Sequence, residues 1–358
     1  MSEAIRIPGG FRQFAFVHGE PGCSAQIKQE FEDFQVDEEL GFAPLGSGEH
    51  LLVRVCKQDM GTLQAAAGLA RELGVSPAAV GYSGMKDRRA ITTQWFSVPQ
   101  KTGSRLRPGT DLGPGLRILE IHGNDRKLRI GSHRANRFRI RLRHLRDEGR
   151  ELETRLMRIR AEGVPNYFGP QRLGREFSNV SQAQETFLAF DENKGRLRPA
   201  RKKKSMLLSA ARSFLFNAVL SHRVAEASWN RRLAGEVFNL EGTRRLFRMR
   251  DEDDTAVLDR RIQELDIHPT GLLAGKIENS DPYQAGAAVA RLEADILNAY
   301  PVLGEGLVRE QVASSRRALR LLPRDLELIR ETDEMVTLSF TLGAGGYGTA
   351  LLRELVRF

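Results

Sequence analysis

The strongest constraint on the fold is the strict alternation of apolar and basic residues over 137–143. Successive side chains of a β-strand point to opposite faces of a sheet, so this stretch predicts a strand with one face on a core. The other face would carry a row of guanidinium groups, which bind phosphate oxygens in pairs. We therefore expect this row to face RNA, although a solvated strand face would show the same pattern. The row consists of Arg137, Arg139, Arg141 and Arg143.

The composition agrees with an anionic partner. The chain has 358 residues, 41% of them hydrophobic, which is enough for a sizeable core and suggests two domains. Its net charge of +9 and pI of about 9.8 favour a polyanion, nucleic acid before a membrane. No apolar run approaches the roughly 18 residues of a membrane span, so we expect none.

The two cysteines, Cys23 and Cys56, lie far from any metal-ligand spacing. This pattern argues against a zinc site and against a disulfide framework. Unpaired cysteines are typical of a reducing compartment, so we expect a cytoplasmic protein without a metal.

One acid stands among basic residues in the stretch 81–95. Gly81 and Gly84 permit tight turns before it, and a β-prone run over 91–98 follows. We therefore place Asp87 on a loop that leads into a strand. A carboxylate beside cations stays ionised even when partly desolvated, as a nucleophile or a general base requires. The neighbouring cations are Lys86, Arg88 and Arg89, and a surface loop of ion pairs is the alternative.

Three further stretches predict local structure. Thr62 is expected to cap a helix that ends at Gly74. Phe34 lies in a strand-like alternation, where an isolated phenylalanine is usually a core residue. Residues 163–174 contain two prolines and three glycines, which indicates an irregular loop. Its Tyr167 and Phe168 would stack or dock there, or else plug a hinge between domains.

A basic stretch over 191–204 ends in consecutive lysines. Charge runs are usually only solvated, but this one would add to an anion-binding surface. Lys202 and Lys203 are therefore candidate RNA contacts.

Five motifs in this order resemble those of the TruD family, the pseudouridine synthases that act on uridine-13 of tRNA. They are K-x-x-x-x-D-F-x-V-x-E at 28–38, G-x-x-G-x-K-D-x-x-A-x-T-x-Q-W at 81–95, G-x-x-x-x-N-x-F-x-I-x-L-R at 131–143, G-V-P-N-Y-F-G-x-Q-R-x-G at 163–174 and a glycine-rich motif at 343–355. The sequence departs from the family pattern in two places: Gly61 precedes Thr62 where the family usually has asparagine, and Gly348 stands where it often has alanine.

The resemblance implies an α+β pseudouridine-synthase fold with a large mixed or antiparallel sheet. The catalytic domain would be discontinuous, built from residues 1–160 and 310–358. Residues 161–309 would form an inserted α/β domain that is peculiar to the family.

The resemblance also implies the site. Asp87 would be the catalytic aspartate, which either attacks the ribose C1′ or acts as the base in a glycal route. Phe138 would stack on a flipped uridine and Asn136 would anchor it. Further substrate contacts would be Phe34, Tyr347 and Lys86, and further RNA contacts Arg139, Arg141 and Arg172.

The implied reaction cuts the N-glycosidic bond of uridine, turns the base and forms a C–C bond at C5. It needs no redox change and no donor group, so we expect no cofactor. The implied partner is tRNA, and we expect a monomer that requires neither a membrane nor a protein partner.

Two other classes of protein share part of this pattern. A zinc nucleobase deaminase carries H-x-E, which His18–Glu20 imitates, but its P-C-x-x-C motif is missing. A non-catalytic RNA-binding module would share the basic surface and the aromatic residues, yet it would have no need for Asp87. A turnover assay on unmodified tRNA separates such a module from a synthase.

Overall fold

The computed structural model describes residues 9–103, 105–189, 201–278 and 281–358. The chain divides into two compact units. The sheet unit comprises the described residues of Gly22–Leu152, Pro323–Gly345 and Val356–Phe358. The helical unit comprises the described residues of Met1–Pro21, Glu153–Leu322 and Gly346–Leu355.

The strands and helices have the following bounds. The strands are β1 (Ser24–Gln26), β2 (Phe34–Leu40), β3 (His50–Gln58), β4 (Gly81–Tyr82), β5 (Ile91–Pro99), β6 (Leu116–Asn124), β7 (His133–Arg146), β8 (Val164–Pro165), β9 (Val237–Leu240), β10 (Leu246–Arg248), β11 (Ile267–Leu273), β12 (Ser315–Ala318), β13 (Arg320–Leu321), β14 (Arg324–Thr332) and β15 (Met335–Gly343). The helices are α1 (Thr62–Leu73), α2 (Gln100–Gly103), α3 (Glu151–Glu162), α4 (Pro170–Leu173), α5 (Ser178–Leu188), α6 (Arg201–Ala225), α7 (Thr255–Gln263), α8 (Ala287–Asn298), α9 (Pro301–Arg309) and α10 (Gly348–Leu355).

Within the described residues, nine strands of the sheet unit form one sheet with the order β14-β15-β7-β2-β5-β3-β6, while β1 pairs with β7 and β4 with β5. The pair β2–β5 is parallel and the other pairs are antiparallel. This is the large mixed sheet of the predicted α+β class. The long central strand β7 is the one predicted from the alternating stretch.

The two faces of this sheet differ as the alternation predicts. We call the face that carries Phe138 and Ile140 the front face and the face that carries the arginine row the back face. Helix α1 packs on the front face of β3, where its Ala65 and Leu69 meet Val53 and Val55 in a buried cluster. Helix α1 ends at Gly74, whose φ of 64° is left-handed and suits glycine, as predicted.

The helical unit is built around the long helix α6, which packs against α5, α9 and β11. A buried cluster of this unit includes Phe214 and Phe216 of this helix. A small sheet of order β10-β9-β11-β12 and the short pair β13–β8 complete this unit within its described residues.

The observed division does not follow the predicted domain boundaries. Residues 9–21, 153–160, 310–322 and 346–355, which the prediction placed in the catalytic domain, lie in the helical unit. The assignment of a discontinuous catalytic domain and an inserted domain stays a prediction. Among the described residues, no helix combines the length and the apolar character that a membrane crossing requires.

Candidate active site

The loop that carries Asp87 runs over residues 83–90, from β4 to β5, as predicted. It is held to the front face by buried polar side chains. Gln94 Nε2 donates to the Gly84 carbonyl oxygen at 2.6 Å, and Thr62 Oγ1 accepts from the Lys86 amide at 2.9 Å. Thr62 in turn donates to Gln94 Oε1 at 2.9 Å, and both side chains are fully buried.

Two predictions about this region are wrong in detail. Thr62 is the first residue of α1 and makes no capping hydrogen bond, because its hydroxyl group is engaged with Lys86 and Gln94. Gly81 lies in a strand rather than in a turn. A Cβ atom there would collide with Ser97 Oγ and lie 2.7 Å from the Leu128 carbonyl oxygen, so close approach of neighbouring segments requires this glycine.

The cation that pairs with Asp87 comes from outside the loop. Lys28 Nζ lies 2.7 Å from Asp87 Oδ2, and about a third of the Asp87 side chain is exposed. The cations adjacent in sequence turn elsewhere: Arg88 pairs with Asp59, and Arg89 donates to the Gln29 carbonyl oxygen. The predicted carboxylate–cation contact therefore exists, but with a different partner.

A buried ion pair lies beside Asp87. Lys86 Nζ is 2.7 Å from Glu38 Oε2 and donates to Asn136 Oδ1 at 2.6 Å. Glu38 and Asn136 are directly opposite each other on β2 and β7, and Glu38 also accepts from the Trp95 amide. All three side chains of the Lys86–Glu38–Asn136 group are buried. The side chain of Lys86, a predicted substrate contact, is thus buried and holds Asn136.

The two phenylalanines predicted for the site are buried as well. Phe138 is 7% exposed and stacks on Phe340 with 5.1 Å between ring centroids and an interplanar angle of 18°. Phe34 meets Phe138 edge-on at 6.3 Å and lies beneath Lys28, whose Nζ is 4.0 Å from the ring centroid. Asn136 and Phe138 share the front face, as predicted, but Phe138 is packed among other rings.

The arginine row lies on the back face, away from the Asp87 loop. Asn136 alternates with the arginine row along β7 and so lies on the opposite face. Glu38, its partner on β2, lies on that same opposite face, and both residues contact Lys86. Half of the row is neutralised by acids from other elements. Arg143 forms a two-pronged pair with the buried Asp33, and Arg141 lies 3.4 Å from Glu331. Arg137 and Arg139 are exposed.

Two predicted contacts meet in the helical unit. Arg172 Nε donates to the Tyr347 hydroxyl oxygen at 3.1 Å, and Arg172 also donates to Ser209 Oγ at 3.0 Å. The Phe168 ring meets Tyr347 edge-on at 5.8 Å. Tyr167 in the same loop is a core residue: it is fully buried and donates its hydroxyl to the Ala15 carbonyl oxygen.

The remaining predicted contacts fall at the start of α6. Lys203 is exposed there. Residues 191–200 of the basic stretch and the side chain of Lys202 lie outside what the structure describes, so the predictions on them stay open.

Several residues around Asp87 were not singled out from the sequence as site residues. These residues are Lys28, Glu38, Lys57, Thr62 and Gln94. Lys28, Glu38 and Gln94 stand in the motifs without a role assigned to them there, and Thr62 is expected only as a helix cap. Lys57 gives no local signal, since a lysine near the end of a strand is common.

Comparison with known proteins identifies the family of the chain. Residues 12–183 and 191–355 match the family model described as tRNA pseudouridine synthase D (TruD). A Methylococcus capsulatus protein named tRNA pseudouridine synthase D is 43% identical over 98% of this chain and 96% of its own length. A Hydrogenovibrio crunogenus protein of the same name is 38% identical over 97% of each chain.

A solved structure has the same fold. The crystal structure of a Methanosarcina mazei protein described as tRNA pseudouridine synthase D covers 96% of this chain and 97% of its own, with a TM-score of 0.71 and 20% identity. At that identity the likeness supports the fold alone, whereas the family model and the curated relatives reach nearly the whole chain. The chain therefore belongs to the tRNA pseudouridine synthase D (TruD) family.

Proposed function

We propose that this protein is a tRNA pseudouridine synthase that isomerises uridine-13 of tRNA, with Asp87 as its catalytic residue. The observation that carries the proposal is the setting of Asp87. The side chains of Thr62 and Gln94 hold the main chain of its loop by hydrogen bonds. Its carboxylate is partly exposed and lies 2.7 Å from Lys28. An ionised and accessible carboxylate on a fixed loop is what attack or proton abstraction at a ribose requires.

The reaction breaks the bond between N1 and C1′, turns the uracil ring and joins C5 to C1′. The hydrogen at C5 leaves as a proton, and N1 takes up a proton, so that the product is an isomer of the substrate. Asp87 either attacks C1′ or removes a ribose proton in the glycal route. Both routes need the carboxylate in its ionised form. The ammonium group of Lys28 pairs directly with this carboxylate at 2.7 Å.

The target uridine has to leave the base stack first, which costs a few kcal/mol. Asn136 is suited to read it, because Lys86 holds the side-chain oxygen and the NH2 group is then the end that can donate to a uracil carbonyl. Phe34 and Phe138 would contact the base with the small exposed part of their rings.

The wider tRNA contact would be electrostatic. The chain carries a net charge of +9, and phosphate contacts dominate the affinity of RNA-binding proteins. In the helical unit, Arg172, Tyr347 and Lys203 are the proposed tRNA contacts; Arg172 and Lys203 are exposed.

Release of the C5 hydrogen supplies the test. Unmodified tRNA labelled with tritium at C5 of its uridines is incubated with the protein, and the tritium released into water is measured. We expect release of one tritium per tRNA, and no release from a transcript in which uridine-13 is replaced by cytidine.

The possible outcomes separate the claims. Release from the cytidine-13 transcript would contradict the assignment to position 13 while leaving the isomerase activity in place. Tight tRNA binding without release would contradict the catalytic proposal and identify a non-catalytic RNA-binding module.

The arginine row gives a first prediction. If tRNA also contacts the back face, Arg139→Ala flattens the slope of log Kd against log salt by about 0.7–0.9, the value for one phosphate contact. Arg141→Ala is the matched control: Glu331 and Asp33 already neutralise this arginine, so its loss changes the slope less. An unchanged slope for Arg139→Ala would mean that the row is only solvated.

A further inference from the structure

Lys57 is a buried cation that the proposed mechanism does not use. It lies near the end of β3 and its side chain is fully buried. Lys57 Nζ donates to the Met60 carbonyl oxygen at 2.6 Å and to the Asp87 carbonyl oxygen at 3.1 Å. One ammonium group thus joins the turn before α1 to the main chain of the proposed catalytic residue.

Few charged groups act on Lys57. Burial lowers its pKa to about 8; Asp87 and the thiol of Cys56 act in the opposite direction, and Lys86 acts with burial. Its paired neighbours on β5 and β6, Thr92 and Leu116, carry no charge. In the turn before α1, Asp59 is paired with Arg88.

We propose that Lys57 is a positioning residue whose ammonium group fixes the main chain at Asp87 and so aims the carboxylate at the substrate. This inference rests on the proposed function. Asp87 is then held at both ends, by Lys57 at its carbonyl oxygen and by Lys28 at its carboxylate. An ammonium group has three donors and no acceptor, and hydrogen bonds from a charged donor are about twice as strong as neutral ones.

Deprotonation of Lys57 weakens this anchor. The neutral amine keeps only two donors, and its hydrogen bonds to the two carbonyl oxygens lose the assistance of charge. Turnover by the free enzyme should therefore fall as pH rises through about 8, the pKa of Lys57.

Unfolding does not explain such a fall. The pKa of Lys57 in the folded protein lies below the ordinary lysine value of 10.5, so between about 8 and 10.5 the unfolded chain binds more protons than the folded one. The contribution of Lys57 to the free energy of unfolding therefore rises with pH across that interval. Activity and this stability contribution change in opposite directions.

The test measures kcat/KM for tritium release from pH ~6 to ~10 in the wild type, Lys57→Met and Lys127→Met. Lys127 is the matched control, because it also donates to a carbonyl oxygen of the sheet unit, that of Ala78, but it is exposed. We expect an alkaline limb near pH 8 in the wild type and in Lys127→Met. In Lys57→Met we expect kcat/KM at neutral pH to fall at least about tenfold and the limb to disappear.

A second readout needs no substrate. Amide hydrogen exchange of residues 83–90 should be faster in Lys57→Met than in Lys127→Met. If Lys57→Met does not fold, Lys57→Gln, which keeps an amide donor without a charge, takes its place with the same expectations.

Each outcome has a definite meaning. An alkaline limb that persists in Lys57→Met, or unchanged exchange of 83–90, would overturn the positioning role. Absence of tritium release from the wild type would overturn the proposed function instead, and the exchange measurement would then decide on Lys57 alone.

Discussion

Asp87→Asn is expected to abolish pseudouridine formation while tRNA affinity stays within about threefold and the protein remains folded. The substitution removes the negative charge and changes the volume little. Loss of a catalytic base typically lowers turnover by about 100- to 10,000-fold, and loss of a nucleophile lowers it further. The measurement is tritium release from C5-labelled tRNA together with the Kd of the complex.

The fold should survive this change because the loop does not depend on the Asp87 side chain. Thr62 and Gln94 hold the main chain at Lys86 and Gly84, and Lys57 holds the carbonyl oxygen of Asp87. The contact that is weakened is the pair with Lys28, which is partly exposed and therefore contributes little to stability.

Asp59→Asn is the matched control for charge. Asp59 is also a partly exposed carboxylate paired with a single basic residue in this region, Arg88, at 3.2 Å. Its neutralisation should leave turnover within about threefold, because surface ion pairs contribute little. An Asp87→Asn enzyme with more than about one per cent of wild-type turnover would show that the carboxylate is not essential.

The features predicted correctly from the sequence depend on local pattern. The alternation over 137–143 predicts strand β7 and its two faces, since the side-chain period of a strand is two residues. Gly74 ends α1 in the conformation that only glycine adopts without strain. Asp87 lies on a loop before a strand, as its flanking residues predict.

The features that were missed depend on pairing across the sheet. Glu38 lies opposite Asn136 only because β2 pairs with β7 in one register, and Lys57 reaches Asp87 only because β3 lies next to β5. Neither strand order nor register follows from the hydrophobic pattern of a single strand. The cations adjacent to Asp87 in sequence therefore suggested the wrong partners.

The charge pattern also misled where acids come from distant segments. The arginine row has no acid within it, which suggested free charges that need an anion. In the structure, Asp33 and Glu331 lie beside Arg141 and Arg143 and supply the negative charge. Tyr167 gives the converse case: its loop is irregular, yet the ring stacks on Phe14 at 5.4 Å in the core of the helical unit.

Phe138→Ala is expected to have the second large effect, on stability and on turnover. The ring is 7% exposed, stacks on Phe340 and meets Phe34 edge-on. Truncation of a buried phenylalanine leaves a cavity and lowers the free energy of unfolding by about 3–5 kcal/mol. Domains commonly have about 5–15 kcal/mol to lose, so the variant should still fold.

The stability measurement needs a signal from the sheet unit alone. The chain has two tryptophans, Trp95 in β5 and Trp229 in the helical unit. In a Trp229→Phe background, the fluorescence of Trp95 follows denaturant unfolding of the sheet unit. Ile140→Val is the control on the same face of β7, where removal of one methyl group costs about 0.5–1.5 kcal/mol.

Turnover then separates two roles of the ring. Kinetics are measured without denaturant, at a temperature where both variants are fully folded. If Phe138 also holds the flipped base, Phe138→Ala loses a further stacking contribution of about 1–3 kcal/mol, roughly 5–150-fold in kcat/KM, which Ile140→Val does not lose. Equal kcat/KM for the folded fractions of both variants would make Phe138 a core residue only. A change in unfolding free energy below about 1 kcal/mol would contradict its burial.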